Sequence, residues 1–210
     1  MISLKLVTDA TTEPVTTAEI KSHLRIDHSN DDTLLDNYIK SARRWTERVT
    51  GRCLINQTWD LWLDKFPSDQ TKEWWNGVRQ GSMRELYNLS TFIEVPKVPF
   101  ASVSKLSTYS DADVETQFSS ANYFVDTNQE PGRITLRIGA SWPTGTFRNT
   151  SAIQVRFVAG YGSTASSVPE DIKTALKMVT ALYYENRGDA DEKELQNALV
   201  LLRPYLFKRI

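Results

Sequence analysis

The sequence has 210 residues, enough for one domain with a sizeable core or for two small ones. Its 25 basic and 26 acidic residues leave a formal net charge of −1, so composition gives no support for a protein that grips DNA electrostatically. The single cysteine, Cys53, excludes an internal disulfide and fits a reducing cytoplasm. No apolar run approaches the roughly 20 residues of a membrane span, and the first residues do not resemble a signal peptide. We therefore expect a soluble, intracellular protein.

Aromatic residues are abundant for a chain of this hydrophobicity. Hydrophobic residues make up 40% of the sequence, and there are six Trp and eight Tyr. This combination suits a protein that buries part of its surface against other chains. It suits equally well a β-rich domain with an aromatic core, and composition leaves both interpretations open.

The N-terminal segment predicts a strand followed by a short helix. Residues 2–7 alternate apolar and polar side chains, which indicates a short strand or an extended arm. Thr16 and Glu19 have the spacing of a capping box, and apolar residues on either side are placed for a hydrophobic staple. We expect a helix that begins after Thr16 and ends near Asp27.

Residues 30–51 predict the central helix of the fold. Apolar side chains recur there at alternating steps of three and four, the spacing that lines one face of a helix. The predicted core face consists of Leu35, Tyr38, Ala42, Trp45 and Val49. Gly51 is placed to end the helix. The charged residues expected to lie away from that face are Arg43, Arg44, Glu47 and Arg48.

The middle of the chain predicts strands. From Trp59 to Leu63 the hydrophobic period changes to two, and short strand-like runs separated by turn residues follow. The later runs cover residues 92–95, 103–109, 123–125, 134–138 and 153–158. Residues 65–91 are polar, with weak periodicity and the pair Trp74-Trp75. A small antiparallel sheet or barrel is expected.

Two further helices are predicted at the C-terminus. The first opens near Pro169 and ends at Gly188, and the second covers residues 192–202. The inner face of the first consists of Ile172, Leu176, Val179 and Tyr183. We therefore predict an α+β fold in which residues 1–56 and 163–210 form a helical bundle. Residues 57–162 form a β-rich insertion, with a long loop at about 65–91.

No motif predicts a reaction centre. His23 and His28 are five residues apart, which does not place them on one helical face, and there is no HExxH sequence for zinc. Asp111, Asp113 and Glu115 alternate like a fragment of a calcium loop, but the required Gly and distal Glu are absent, so a solvated hairpin turn is expected. Phosphate-binding glycine motifs are also missing. We predict no enzyme activity, no cofactor and no metal.

Two segments are predicted to contact partners, because large aromatic side chains and Arg dominate interface energetics. The first is the loop with Trp74, Trp75 and Arg79. The second is the C-terminal tail, which mixes apolar and cationic side chains: Arg203, Pro204, Tyr205, Leu206, Phe207, Lys208 and Arg209. The alternatives are a Trp pair folded back on the sheet and a frayed terminus.

The motifs of the chain, in their order, resemble a known family. The opening motif runs from Pro14-Val15-Thr16 through Ala18-Glu19 to His23-Leu24-Arg25-Ile26-Asp27. Further motifs are Ala42-Arg43 with Glu47, Thr50-Gly51-Arg52, Gln57-Thr58-Trp59, Pro96 and Pro99 with Ser102-Val103, Pro131-Gly132-Arg133-Ile134, Trp142-Pro143, Val155-x-Phe157-Val158-Ala159-Gly160-Tyr161-Gly162, Val168-Pro169 with Ile172, and Tyr183-Tyr184-Glu185-Asn186-Arg187. Together they resemble the head–tail connector proteins, also called adaptor or head-completion proteins, of long-tailed bacteriophages and gene transfer agents.

The resemblance implies a structural role in the virion. Such proteins are not enzymes, and they form a ring, typically of twelve copies, beneath the portal of a DNA-filled head. The implied partners are further copies of the chain, the portal protein, a tail-side connector or tail terminator protein, and phage DNA that passes without specific binding. We expect assembly in the host cytoplasm, no membrane contact, and portal binding by the tail at residues 203–209. The alternative is a carbohydrate- or surface-binding tail module, which would use Trp59, Trp62, Trp74, Trp75 and Trp142.

Overall fold

The computed structural model describes residues 2–67, 92–187 and 192–207, and this part of the chain contains four α-helices and eight β-strands. The strands are β1 (Ile2–Thr8), β2 (Gln57–Leu63), β3 (Phe92–Val95), β4 (Phe100–Tyr109), β5 (Glu115–Gln117), β6 (Tyr123–Asp126), β7 (Gly132–Leu136) and β8 (Ile153–Ala159). The helices are α1 (Thr17–Leu24), α2 (Asp32–Thr50), α3 (Glu170–Glu185) and α4 (Glu192–Leu202). The predicted α+β fold is therefore confirmed. None of the described helices is both long and apolar enough to cross a membrane.

The chain forms two compact units. The sheet unit comprises Met1–Val7, Thr58–Pro96 and Phe100–Val158, and the helical unit comprises Thr8–Gln57, Lys97–Pro99 and Ala159–Ile210. The β-rich insertion runs from Thr58 to Val158 instead of from 57 to 162, and two further stretches differ from the predicted segments. The first seven residues belong to the sheet unit, because β1 is hydrogen-bonded to β2. Residues 97–99 belong to the helical unit, where the Val98 carbonyl accepts a hydrogen bond from the Cys53 N–H at 2.8 Å.

Local signals fix the helix ends in the helical unit. The Thr16–Glu19 capping box is present, with the Thr16 N–H donating to Glu19 Oε2 at 2.7 Å and the Glu19 N–H donating to Thr16 Oγ1 at 3.2 Å. Helix α2 ends at Gly51, whose φ of 72° lies in the left-handed region that glycine adopts without strain. Helices α1, α2 and α3 pack on one another, and α4 packs on α3.

The core of the helical unit follows the predicted hydrophobic periods. Leu35 and Ala42 on α2, and Ile172, Leu176 and Val179 on α3, are fully buried. Their neighbours in the same cluster are Val15, Ile20, Ile39, Leu54, Ile55, Val168, Ala175, Ala198 and Leu202. Leu54 and Ile55 follow α2 directly, so the chain leaving this helix is part of the core that the helix helps to build.

The large side chains of the predicted core face lie at its margin. Trp45 and Tyr183 are half-buried against the core, and Tyr38 is half-buried with its ring centroid 6.2 Å from that of Tyr183. Val49 is also half-buried. The buried face of α2 consists instead of Leu35, Ile39, Ala42, Arg43, Thr46 and Thr50. It is thus rotated from the predicted stripe, and the expectation that Arg43 lies on the solvent side is wrong.

Strands of the sheet unit pair in two sheets. The five-stranded sheet has the order β1-β2-β8-β4-β5, and the three-stranded sheet has the order β3-β7-β6. The pairs β3–β7, β6–β7 and β4–β5 are antiparallel. In the interior, the rings of Phe100 and Phe157 meet edge to face at 6.0 Å. The Phe100 ring packs directly against Gly132. A Cβ at residue 132 would lie 2.2 Å from the ring, so a larger residue would collide with it.

One strand of the sheet unit differs from the sequence interpretation. Glu115, expected in a solvated turn, begins β5, in which Glu115 is paired with Tyr109 of β4. The turn itself is shorter, with the Asp113 N–H donating to the Ser110 carbonyl at 3.0 Å. A strand of three exposed residues has no apolar alternation, so periodicity gives no signal for it.

Candidate functional site

The functional residues predicted for this chain are residues that would bind partner proteins. Among the described residues, no group of three or more His, Cys, Asp or Glu side chains could hold a metal ion. His23 and His28 are both exposed, whereas Cys53 is buried. The residues predicted to bind partners fall in the C-terminal tail and in the long loop.

The described part of the C-terminal tail folds onto its own helical unit. Residues Arg203–Tyr205 form a 3₁₀ turn directly after α4. The Phe207 N–H then donates to the Thr50 carbonyl at 2.8 Å. Arg52 Nε donates to the Tyr205 carbonyl at 2.7 Å. The apolar residues Tyr205, Leu206 and Phe207 are half-buried as a result.

The docked tail packs on the residue that ends α2. Gly51 has no side chain, and a Cβ there would lie 3.4 Å from Phe207 Cβ. The motif Thr50-Gly51-Arg52 therefore contacts the tail in three ways: through a carbonyl, through an open backbone face and through a guanidinium group. These three residues thus form the surface on which Tyr205 and Phe207 pack.

Two of the seven residues predicted to bind the portal are exposed in the described tail, namely Arg203 and Pro204. The next three are the docked residues Tyr205, Leu206 and Phe207. Lys208 and Arg209 lie outside the described residues. The tail as described is thus a fixed surface element that presents a cation and a proline.

A buried ion network lies at the centre of the helical unit. The Arg43 side chain is only 2% exposed. Its Nε donates to Glu13 Oε2 at 2.9 Å, and its Nη1 lies 3.1 Å from Glu47 Oε2 and 3.2 Å from Asp9 Oδ1. Burial lowers the pKa of Arg43, but the three carboxylates raise it by more than burial lowers it. The net pKa is raised, so the guanidinium group stays charged.

The same network extends to the chain that follows α2. Glu47 Oε1 accepts hydrogen bonds from the Leu54 N–H at 3.0 Å and from Gln57 Nε2 at 2.8 Å. Burial raises the pKa of Asp9, but hydrogen bonds from Arg43 and from the Ala10 N–H outweigh it, and the net pKa is lowered. The motif Ala42-Arg43 with Glu47 therefore holds the segments before α1 and after α2 against the central helix.

Other motifs of the resemblance also have structural roles. Gly160 donates its N–H to the Pro99 carbonyl at 2.9 Å, and a Cβ at this position would lie 2.6 Å from the Asn56 backbone nitrogen. Only a residue without a side chain allows this approach. At the end of α3, Tyr184 Oη donates to Asp31 Oδ2 at 2.7 Å, at the start of α2.

Two of the Trp rings that the sequence left open for ligand binding, Trp62 and Trp142, pack on other aromatic rings within the sheet unit. The Trp62 ring lies 5.5 Å from that of Tyr109, with the Arg148 guanidinium 5.4 Å from it. The Trp142 ring stacks on that of Phe66 at 4.8 Å. Trp74, Trp75 and Arg79, predicted as a ring or tail interface, lie outside the described residues.

Sequence reasoning missed one exposed apolar element, the strand β1. All seven of its residues are exposed, and the apolar ones expose between 37% and 63% of their surface. They are Ile2, Leu4, Leu6 and Val7. The available signal was that Val7 breaks the alternation of residues 2–7, which makes both faces of the strand apolar.

Comparisons with known proteins agree with the motif order. Residues 15–74 match the family model described as phage gp6-like head-tail connector protein. No curated protein matches the chain.

Solved structures of gene transfer agent particles share the fold. A chain in the neck of an empty particle, computed with C6 symmetry, matches with a TM-score of 0.76 and 23% identity, over 99% of this chain and 97% of that one. A chain in the virion of a native particle matches with a TM-score of 0.76 and 24% identity, over 99% and 96%. A chain in the neck of a native particle, computed with C12 symmetry, matches with a TM-score of 0.74 and 23% identity, over 99% and 97%.

The alternative of a carbohydrate- or surface-binding module is not favoured by these findings. The match on residues 15–74 covers the capping box, α1 and α2 with Arg43 and Glu47, and the fold likeness covers nearly the whole chain. The order of the motifs, the connector model on residues 15–74 and the fold shared with the neck chains all support the prediction of a head–tail connector protein.

Proposed function

We propose that this chain is a structural adaptor that forms a ring at the head–tail junction of a tailed phage or gene transfer agent particle and continues the DNA channel. The observation that carries the proposal is the neck-protein fold over 99% of the chain, together with the connector match on residues 15–74. Necks computed with C6 and C12 symmetry support a homo-oligomeric ring, and twelve copies is the number we propose. The role is structural and not enzymatic.

The charge of the chain is compatible with such a ring. Copies in a closed ring meet through two different faces, so each face must accept a neighbour without long-range repulsion. A formal net charge of −1 per copy keeps that repulsion small, whereas strongly charged copies would repel one another.

The test is assembly on a portal. Purified chain is mixed with the portal rings of the same particle, and the complexes are counted by mass photometry and imaged by electron microscopy. We expect a ring of this chain on the tail-facing end of the portal. A chain that stays monomeric at all concentrations, with and without portal, contradicts the proposal.

We further propose that the C-terminal tail, residues 203–209, contacts the portal protein. The exposed Arg203 and Pro204 stand on a tail that is fixed against Thr50 and Arg52, so a partner would meet a surface that is already ordered. Removal of everything after Leu202 is a poor test, because it also removes the contacts of Tyr205 and Phe207 with the helical unit.

Charge reversal provides a cleaner test of the tail. Arg203→Glu should weaken portal binding and leave the melting temperature of the isolated chain unchanged, since Arg203 is exposed. Lys40→Glu is the matched control, because Lys40 is an exposed cation on α2 of the same unit. A second variant that ends at Phe207 keeps the docked residues. If both Arg203→Glu and this variant bind portals with unchanged affinity, the tail is not the portal contact.

For the long loop, we propose that Trp74, Trp75 and Arg79 contact a neighbouring copy or the tail-side protein. A buried indole at an interface hot spot is commonly worth about 2 kcal/mol or more. Replacing both Trp by Ala should weaken ring or tail assembly and leave the melting of the monomer nearly unchanged. A variant that melts early, or that assembles normally, contradicts this assignment.

DNA is proposed to pass the ring without being held. A protein that grips DNA neutralises phosphates and shows a steep salt dependence. We expect the isolated chain to bind duplex DNA no better than non-specifically, at roughly 10⁻⁴ M or weaker in physiological salt. Filter binding over a salt series checks this, and tight sequence-selective binding contradicts it.

A further inference from the structure

We propose that neighbouring copies in the ring join edge to edge, with β1 of one copy pairing beside β5 of the next copy. This inference rests on the proposed ring and names the surfaces that build it. Both surfaces lie on the five-stranded sheet of the sheet unit.

Strand β1 is an exposed apolar edge. Among the described strands it is the first in the order β1-β2-β8-β4-β5, so one side of its backbone pairs with β2 and no described strand pairs with the other. Ile2 is 63% exposed and Val7 is 42% exposed, on opposite faces of the strand. A long apolar edge strand is a template for pairing with another chain, and proteins usually protect it with charges, proline or a bulge. Here Lys5 is the single charged residue of the strand.

Strand β5 ends the same sheet on the other side. It pairs with β4 in the register Ser107↔Gln117, Thr108↔Thr116 and Tyr109↔Glu115, and all three of its residues are exposed. Val114, directly before it, is 60% exposed and apolar. The sheet therefore has two different edges on opposite sides. Contact between unlike surfaces is the heterologous kind that closes copies into a ring.

The charges of the two edges are complementary. Strand β1 carries Lys5 and no acidic residue, whereas residues 111–117 carry three acidic residues and no basic one. Two of these acids are paired within the chain, Asp113 with Arg148 and Glu115 with Lys105. Asp111 and Lys5 form no ion pair with any residue in the described part of the chain.

The same charges disfavour the alternative pairings. Two copies joined through β1 alone would bring Lys5 near its own counterpart, and two joined through β5 would oppose acidic segments. Either symmetric contact would also stop at a dimer. The β1–β5 contact is thus the pairing of these edges that both charge and ring closure favour.

A first experiment disrupts β1 and measures rings by mass photometry at one protein concentration. Leu4→Lys with Leu6→Lys puts two charges on residues that are 37% and 40% exposed, and we expect the rings to be lost. Val200→Lys is the matched control, since Val200 is an apolar residue of α4 that is 55% exposed, and it should form rings like the unchanged chain. Rings retained in the β1 variant overturn the inference.

A charge exchange covers the case in which the double Lys variant does not fold. Lys5→Glu and Asp111→Lys each alter an exposed charge, and each alone should raise the concentration for half-assembly roughly two- to fivefold. The two together should restore the original concentration for half-assembly, because residues 5 and 111 again carry opposite charges. If each single change has no effect, or if the double change is additive, the edges do not meet.

Cross-linking tests which edges meet. Lys5→Cys with Asp111→Cys is treated with a bismaleimide shorter than the roughly 19 Å that four strand spacings place between the edges of one sheet. Cys53 is buried, so the background should be low. We expect a ladder of oligomers beyond the dimer for the double variant and none for either single one. Dimers from Lys5→Cys alone, or monomers from the double variant while rings are present, overturn the inference.

Experiments with the unchanged chain distinguish failure of the proposed ring from failure of the proposed β1–β5 contact. If it forms no ring alone or on portals, the proposed function itself fails. If it forms rings that persist in the β1 variants and give no cross-linked ladder, only the β1–β5 contact fails.

Discussion

Each unit of the molecule buries a charged side chain, and the two are satisfied in opposite ways. In the helical unit a cation, Arg43, is surrounded by the carboxylates of Asp9, Glu13 and Glu47. In the sheet unit an anion is buried instead: the Asp60 side chain is 5% exposed. It accepts hydrogen bonds from Arg156 Nε at 2.8 Å, from Arg156 Nη2 at 2.9 Å and from Gln154 Nε2 at 2.7 Å.

The difference lies in what else holds the partners together. Asp60 and its partners are on β2 and β8, which are neighbours in the sheet and already share backbone hydrogen bonds. Asp9 and Glu13 precede α1 in a segment without regular secondary structure, where the Arg43 side chain links the segment to α2 in addition to the core contacts of Ala10 and Val15. The helical unit therefore depends more on its buried ion network than the sheet unit depends on its own.

The largest effect is expected from Arg43→Met. The substitution fills most of the volume but leaves Glu13 and Glu47 without their cation, while Asp9 keeps only its ion pair with the exposed Arg44. Removing one partner of a buried ion network typically costs about 3–5 kcal/mol. Urea unfolding of the full chain, followed by far-UV circular dichroism, measures the loss in the free energy of unfolding.

The neighbouring arginine is the matched control for this experiment. Arg44 forms an ion pair with the same Asp9 at 3.3 Å, but its side chain is 67% exposed. Exposed ion pairs contribute about 0–1 kcal/mol, so Arg44→Met should be nearly neutral. If the two variants unfold within 1 kcal/mol of each other, the Arg43 network does not stabilise the helical unit as argued.

A smaller loss is expected from Asp60→Asn in the sheet unit. Asparagine keeps the shape of aspartate but replaces one carboxylate oxygen by an NH₂ group. This group donates hydrogen bonds and cannot accept those of Arg156 or Gln154. Hydrogen bonds to charged groups contribute about 1.5–3 kcal/mol, and the loss should lie at the lower end of that range. The reason is that the Arg156 side chain is 36% exposed and can be hydrated when its partner is weakened. A loss as large as that of Arg43→Met would contradict the comparison.

The Asp60 contribution should depend on pH. Burial raises the pKa of Asp60, but hydrogen bonds from Arg156 and Gln154 outweigh it, so the folded pKa is lowered below the ordinary value. The folded pKa therefore lies below the unfolded one, and the stabilisation is complete above the unfolded pKa of about 4 and is lost as pH falls through the folded pKa. The stability difference between the unchanged chain and Asp60→Asn should be constant near neutral pH and shrink below about pH 4. A difference that stays constant into strong acid contradicts this assignment.

The elements that sequence predicted well are those with local signals. The Thr16–Glu19 capping box, the Gly51 helix end and the period of Ile172, Leu176 and Val179 each lie within one helix or at its end. Packing then follows, because a helix with one apolar face must bury it.

The parts that sequence could not predict depend on residues far apart in the chain. The inward position of Arg43 requires carboxylates from residues 30 and 34 positions earlier, Glu13 and Asp9, and an Arg on a helix is ordinarily exposed. The docked tail requires hydrogen bonds to Thr50 and Arg52, and Arg52 lies 153 positions before its partner Tyr205. The free edge of β1 becomes visible only once the strand order is known.

The smallest loss in the free energy of unfolding is expected from Tyr205→Phe. This variant removes an exposed hydrogen bond, and its effect can be compared with those of Arg43→Met and Asp60→Asn. Tyr205 Oη donates to Asp171 Oδ2 at 3.2 Å in an exposed position, where water replaces the lost partner. The free energy of unfolding should fall by no more than about 0.5 kcal/mol. The tail should stay docked, because the Tyr205 carbonyl still accepts from Arg52 Nε and the Phe207 N–H still donates to Thr50. Protection of the Phe207 amide from hydrogen exchange measures the docking directly, and its loss in Tyr205→Phe would show that the hydroxyl, and not these two backbone contacts, holds the tail.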